Sequence, residues 1–261
     1  MQVPGAKLEL IDKGTGRPIV FLHPHIGLHG ANAFIERLAG QGRVLAPSHP
    51  GFGLTDLPKG YTTVDDIAYF YLDFFEQLDL RDVLLVGSSF GAWIAMEMAI
   101  KASTRISRLV LLDPVGAKFG PRETSDVIDI FAVPQPKLHE LSYHDPKHAH
   151  RDYASMSDDD LAIIARNRQS TALYAWNPYM YNPKLAQRLH RIGIPTMVAC
   201  GASDRMMAPG WGRRYAEAIP GAGAAAYQEI AAAGHFPHIE QPEAVANLIV
   251  SLANKTGAVA A

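Results

Sequence analysis

The chain has 261 residues, with 24 Lys plus Arg against 26 Asp plus Glu, 48% hydrophobic and 19% charged residues. That balance excludes an intrinsically disordered or fibrous chain, and without a basic stripe it offers no electrostatic footprint for nucleic acid. One elaborated α/β domain that buries a large core and acts on a small, weakly charged molecule is the expected organisation. No stretch reaches the length of a membrane span and the first residues lack a leader's apolar core, so a cytoplasmic protein with no membrane partner is expected. The one cysteine, Cys200, has no internal partner and sits in an apolar run, which reads as a buried structural thiol.

In chain order, short apolar runs alternate with longer amphipathic stretches, the pattern of βα units on a mostly parallel sheet. Strands are predicted over 18–22 and 43–46. Behind Thr63, whose hydroxyl suits an N-cap, Val64, Ile67, Ala68, Tyr71, Leu72, Phe75 and Leu78 recur at helical spacing. A strand over 83–86 leads into a helix over 90–101, and another strand follows over 108–112. From 115 to 184 the alternation fails: Pro134 and Pro136 interrupt it, and histidines and aromatics accumulate. This segment reads as a helical cap inserted into a single core made of residues 1–114 and 185–255. The core resumes with strands over 196–199 and 225–230, then a helix over 242–254 opened by Pro242 and Glu243. Residues 256–261 read as a flexible tail.

The strongest chemical signal is Gly87-Ser88-Ser89-Phe90-Gly91, a G-x-S-x-G between a predicted strand and a predicted helix. A sharp turn there exposes the Ser89 oxygen, and the flanking glycines keep side chains out of the neighbouring strand and helix. A serine nucleophile needs a general base, and the base needs an acid that fixes its tautomer. His235, in a loop before the last helix, is the expected base. Asp204 follows the strand that ends near Cys200 and is the expected acid, while Asp113, after the strand over 108–112, is the competing candidate. The order Ser, Asp, His is the one that accompanies a strand–elbow–helix serine. His238 reads as a partly buried neighbour. His139, His144, His148 and His150 match no compact zinc spacing, so no metal is expected.

Taken with Phe21-Leu22-His23, His49-Pro50-Gly51-Phe52-Gly53, Leu112-Asp113-Pro114, Gly201-Ala202-Ser203-Asp204 and Gly234-His235, the motif makes the chain resemble the α/β-hydrolase family. That resemblance implies a mostly parallel central sheet flanked by helices, with an inserted helical cap. It also implies Ser89 as nucleophile, His235 as base and Asp204 as acid, with no metal or organic cofactor. The oxyanion hole would be formed by the backbone N–H groups of Phe90 and His25. Two positions depart from the family pattern. His23-Pro24 replaces the familiar His-Gly and removes one donor, and Ser48 stands where many relatives have Asp, which is expected to change local hydrogen bonds and not the reaction. Trp176, Tyr179 and Phe236 are expected to line the substrate pocket.

The expected activity is hydrolysis of a small carboxylic ester through an acyl-enzyme. Dehalogenases and epoxide hydrolases of this fold use an aspartate nucleophile, against which Ser89 stands. Carbon–carbon bond hydrolases of ring-fission products use serine and are the alternative, with Arg166 and Arg168 available for an acidic substrate, although Ser88 and Phe236 occupy positions where those enzymes commonly carry Asn and Trp. A receptor-like member that only binds its ligand is the third reading. The sequence leaves the oligomeric state open, a homodimer included.

Overall fold

In the strand β4 (Pro18–Leu22), Ile19 and Phe21 point to one core cluster and Val20 and Leu22 to another, because successive side chains leave a strand on opposite faces. Both faces are apolar because both are covered by helices, which is why the central strands read as unbroken hydrophobic runs. The computed structural model describes residues 1–254 apart from 4, 102–103, 122 and 222–225, and leaves out the side chains of 253 and 254.

Among the described residues the chain opens with a small antiparallel pair, β1 (Gln2–Val3) and β2 (Ala6–Lys7). The main sheet comprises β3 (Leu10–Lys13), β4, β5 (Arg43–Pro47), β6 (Val83–Ser88), β7 (Ile106–Leu112), β8 (Thr196–Gly201) and β9 (Tyr227–Ile230), in the order β3-β5-β4-β6-β7-β8-β9. Only β3 runs antiparallel, against β5. All other pairings are parallel. Of the predicted strand over 225–230, residues 227–230 are strand and Ala225 lies outside the described residues, as does the predicted tail.

Helices α1 (Asn32–Ala39) and α8 (Pro242–Asn254) pack on one face of the sheet. Helices α2 (Val64–Gln77), α3 (Phe90–Ile100) and α6 (Trp211–Ala218) pack on the other. Helix α2 begins where its cap predicts, since Thr63 and Asp66 form a reciprocal capping box. All eleven residues of α3 are buried, the mark of a helix enclosed on every side. Between β7 and β8 come α4 (Gln135–Ser142), a 3-10 turn over Pro146–Ala149, α5 (Asp158–Ala175) and a second 3-10 stretch over Ala186–Arg191. The short α7 (Pro237–Glu240) follows β9.

The strand order reverses around β4: the chain moves from β4 outward to β5, then returns to β6 on the other side. Ligand sites in open α/β sheets gather at the carboxyl ends of strands flanking such a reversal. The His23–His25 loop after β4 and the Ser89 turn after β6 are therefore neighbours, with Leu22 paired to Gly87.

Candidate active site

Ser89 has φ 51° and ψ −112°, a left-handed conformation that costs a non-glycine residue about 1–3 kcal/mol and persists only where its surroundings enforce it. They do so here through close approach. A Cβ on Gly91 would stand 2.1 Å from the Leu22 carbonyl oxygen, and one on Gly87 2.6 Å from Ala92 Cα. The Ser89 N–H donates to the Leu112 carbonyl at 2.8 Å, which anchors the turn to β7.

The predicted triad comes together. His235 Nε2 lies 2.8 Å from Ser89 Oγ, and His235 Nδ1 lies 2.9 Å from Asp204 Oδ2. A carboxylate can only accept, so Nδ1 carries the proton and Nε2 is left to accept from the serine hydroxyl. Ser89 is 2% exposed and His235 fully buried. Burial raises the Asp204 carboxyl, but the charge and hydrogen bond of His235 outweigh it and hold Asp204 below the usual carboxylate range. Its other oxygen accepts from the Met206 N–H at 2.8 Å.

Asp113, the competing candidate, sits behind this pair. Its carboxyl accepts from the Gly201 N–H at 3.0 Å, and it lies within reach of Asp204 but makes no hydrogen bond to His235 among the described residues. Burial, then the Asp204 charge, pushes Asp113 well above its ordinary value and favours its protonated form. Among the described residues, Asp113, Asp204 and His235 are the one group whose potential metal-ligating atoms gather within 4.8 Å. The histidines of the 115–184 segment form no such group, and His144 instead bonds Ser203 Oγ at 2.8 Å.

The backbone N–H groups of Phe90 and His25 donate to nothing among the described residues, as an oxyanion hole requires. Pro24 does not disorder the His23–His25 loop. The His49 N–H donates to His23 Nε2 at 3.0 Å, which leaves the His23 Nδ1 proton for the Pro24 carbonyl at 2.7 Å. His49 Nε2 donates back to the His23 carbonyl at 2.9 Å, and the two rings stack with centroids 3.6 Å apart. Burial keeps both rings neutral, with His23 pushed down to about 4. Gly27, at φ 82°, closes the turn with its N–H on the Pro24 carbonyl. The change at Ser48 is answered from β3's side of the sheet: Ser48 Oγ donates to Glu9 Oε2 at 2.6 Å, and the same oxygen accepts from the Leu54 N–H at 2.9 Å.

Helix α5 is tied over these loops. Asn167 Oδ1 accepts from the Gly53 N–H at 2.8 Å, Ser170 Oγ donates to the Gly51 carbonyl at 2.7 Å, and Tyr174 OH to the Pro50 carbonyl at 3.1 Å. Arg166, read from the sequence as a possible substrate anchor, donates to the Gly51 and Thr55 carbonyls instead. Glu240 ties down another part of the 115–184 segment, just beyond α4. Its carboxylate accepts from the N–H groups of Gly234, His144 and Asp145 at 2.6, 3.2 and 2.8 Å. The His235 N–H adds a bond to the Ser142 carbonyl at 2.7 Å. Sequence reading missed Glu9, Asn167 and Glu240, whose partners lie on other elements.

A cavity of about 140 Å³ has His25, Tyr143, Arg151, Asn167, Arg168 and Phe236 in its wall; Ser89, His235 and Asp204 do not line it, and Phe236, whose ring packs on His235, stands between the cavity and the triad. Phe236, one of the three residues read from the sequence as lining a pocket, is in this wall. Trp176 and Tyr179 are not in this wall. Trp176 is 56% exposed and stacks edge-on with Phe131, while the Tyr179 hydroxyl holds the backbone of Ile128 and Ile130 at 2.8 Å each. Tyr143 and Tyr153 supply the aromatic lining instead.

Residues 19–248 match the family described as alpha/beta hydrolases, and the chain belongs to it. It is 33% identical over 130 residues to the 2-hydroxy-6-oxo-2,4-heptadienoate hydrolase of Pseudomonas putida, a match covering 48% of this chain and 46% of that protein. It is 32% identical over 193 residues to the haloalkane dehalogenase of Agrobacterium fabrum, covering 73% of this chain and 57% of that one. These matches thus span about half the length of those two relatives. Among solved structures, a thermophilic esterase from Thermogutta terrifontis shares the fold with a TM-score of 0.76 at 23% identity, over 96% of this chain and 94% of that one. Among the described residues no helix is long and apolar enough to cross a membrane.

Proposed function

We propose that this protein is a serine hydrolase that cleaves a small carboxylic ester through an acyl-enzyme on Ser89. The observation that carries the reading is the unbroken chain of hydrogen bonds from Ser89 Oγ through His235 to Asp204, at 2.8 and 2.9 Å. Ser89 Oγ attacks the ester carbonyl as its proton passes to His235 Nε2, and the carbonyl electron pair moves onto oxygen, facing the Phe90 and His25 N–H groups. Collapse expels the alkoxide, which takes the proton from His235. Water then repeats the sequence on the acyl-enzyme and releases the acid. Asp204 holds the imidazole in the required tautomer and balances its transient charge.

Residues 115–184 act in this reading as a cap. Because Ser89 is 2% exposed, a substrate reaches it only when the covering side chains give way. Such an enclosure favours small substrates over folded proteins or lipid surfaces.

Turnover of 4-nitrophenyl acetate or butyrate, abolished by Ser89→Ala, tests the reading. Mass mapping after a fluorophosphonate probe should place the label on Ser89. Absence of both turnover and label would leave a ligand-binding protein. The similarity to a 2-hydroxy-6-oxo-2,4-heptadienoate hydrolase favours carbon–carbon bond cleavage as the second reading. Cleavage of a vinylogous 1,5-diketone without ester turnover would establish it.

A further inference from the structure

The cavity bordered by Phe236 is unlike the rest of the molecule in its charge. The whole chain is nearly neutral, with a formal net charge of −2. The cavity wall, by contrast, contains Arg151 and Arg168 and no Asp or Glu among the described residues. The guanidinium of Arg151 makes no ion pair or hydrogen bond among the described residues. Arg168, an exposed residue, stacks on the Phe131 ring, 4.9 Å from its Cζ, which steadies the planar group, and among the described residues its N–H groups donate to no side chain or carbonyl. Carboxylates on neighbouring segments are engaged elsewhere: Asp129 caps the Phe131 and Ala132 N–H groups, and Asp160 accepts from Ser157 Oγ.

The histidines around the cavity add no cation of their own. His25 and His139 are pushed down, first by burial and then by nearby positive charge, with Arg151 acting on both and Arg168 on His25. Two fixed positive charges, a half-buried Arg151 and an exposed Arg168, therefore border the cavity with no carboxylate in its wall among the described residues, although Arg151 also borders a neighbouring cavity lined by Glu9 and Asp160. Some arginines elsewhere do meet carboxylates, as in Arg17 with Asp82, Arg43 with Asp12 and Arg213 with Glu229. The rest of the cavity wall includes Ile130, Leu138 and Ile164, which suit a short carbon skeleton.

We propose that this cavity is a carboxylate subsite: the substrate carries a carboxylate that Arg151 and Arg168 bind while its ester carbonyl lies at Ser89. Arginine suits a carboxylate because its planar fork of donors can bond both oxygens at once. The reading replaces the weakly charged substrate expected from composition alone, and it replaces Arg166 with Arg151 as partner of Arg168. The subsite rests on geometry, whereas its effect on rate rests on the hydrolase reading.

Two matched pairs test it on the whole protein. One is mono-4-nitrophenyl adipate against 4-nitrophenyl hexanoate, with the carboxylate on the acyl side. The other is 4-acetoxybenzoate against its methyl ester, with the carboxylate on the leaving group. In at least one pair kcat/KM should favour the anion by about tenfold or more, the worth of one charge-assisted contact. The ratio should shrink at high salt, fall towards one in Arg151→Ala and Arg168→Ala, and recover in part in the Lys variants. Calorimetry of adipate or benzoate with Ser89→Ala reads the subsite without chemistry. Binding there that is weakened by salt, with no ester turnover by the wild type, would keep the subsite and overturn the esterase. Turnover of neutral and anionic esters at equal kcat/KM, with no binding of either carboxylate, would overturn the subsite and keep the esterase.

Discussion

Glu240 joins the His235 loop to the segment that covers the site, and removing its carboxylate should loosen both. The three N–H groups it accepts from belong to Gly234, immediately before His235, and to His144 and Asp145, just beyond α4. Glu240 is 8% exposed and the Gly234 bond is buried. A bond to a charged acceptor is worth about 1.5–3 kcal/mol, and a buried donor left unpaired costs about 1–3 kcal/mol. The Gly234 donor should incur most of that cost, while water can reach the two partly buried donors, so Glu240→Ala should destabilise by about 4 kcal/mol. For a domain of this size each kcal/mol moves the melting temperature by about 2–4 °C, which predicts a fall of about 8–16 °C. Glu240→Gln keeps one carbonyl oxygen but turns an amide N–H₂ towards a donor, and should lose about half as much. Because Gly234 sets the approach of His235 to Ser89, kcat should fall on the order of tenfold at temperatures where the variant is still folded. Thermal unfolding followed by circular dichroism, with ester turnover on the same samples, measures both. A Glu240→Ala melting temperature within about 2 °C of the wild type would refute the idea that this carboxylate holds the loop.

Asp204→Asn should lower kcat far more than Asp113→Asn, since only Asp204 touches His235; a reversed ranking would make Asp113 the orienting acid. Asp113→Asn should also change the pH dependence of stability. Asp113 is raised in the fold, so above about pH 4 the unfolded chain has lost a proton that the folded one keeps, and stability falls as pH rises towards the folded pKa. Asparagine removes that dependence, so its melting temperature relative to wild type should be higher at pH 8 than at pH 5, and an unchanged difference would refute a neutral Asp113. Gly91→Ala should cost about 3 kcal/mol or more and most of the activity, because its Cβ would overlap the Leu22 carbonyl just before the His23–His25 loop. Gly193→Ala, with nothing within 4 Å of its Cβ, is the control and should unfold as the wild type does.

What the sequence displays are features whose cause lies within a few residues. The Ser89 turn is such a feature, since its glycines exclude contacts with the adjoining strand and helix. So is α2, where Thr63 and Asp66 cap each other three residues apart. The inner strands are legible because burial on both faces leaves unbroken apolar runs. By contrast β3 is half exposed and mixed in composition, and α1 is only eight residues long, so neither stands out by periodicity. The cavity wall was legible only in part for a different reason. An aromatic-rich segment shows that rings are present, but the direction of each ring depends on tertiary contacts, and the Tyr179 hydroxyl is directed by backbone groups of Ile128 and Ile130 some fifty residues away.

Ser48 carries the same point to the level of motifs. By position, it is a missing carboxylate in the loop that follows β5. In space, β3 and β5 are antiparallel neighbours, the Ser48 N–H donates to the Glu9 carbonyl at 3.0 Å, and the Glu9 side chain therefore arrives at the vacated place. Its Oε2 accepts from both Ser48 Oγ and the Leu54 N–H, so a negative acceptor still holds the loop that α5 rests on. The departure from the family pattern is thus compensated across the sheet. The loop also receives Arg166 and Asn167 from above, so its shape is fixed from both sides before any substrate enters. A sequence motif here records which strand supplies a charge, whereas the physical requirement is only that some neighbour supply it.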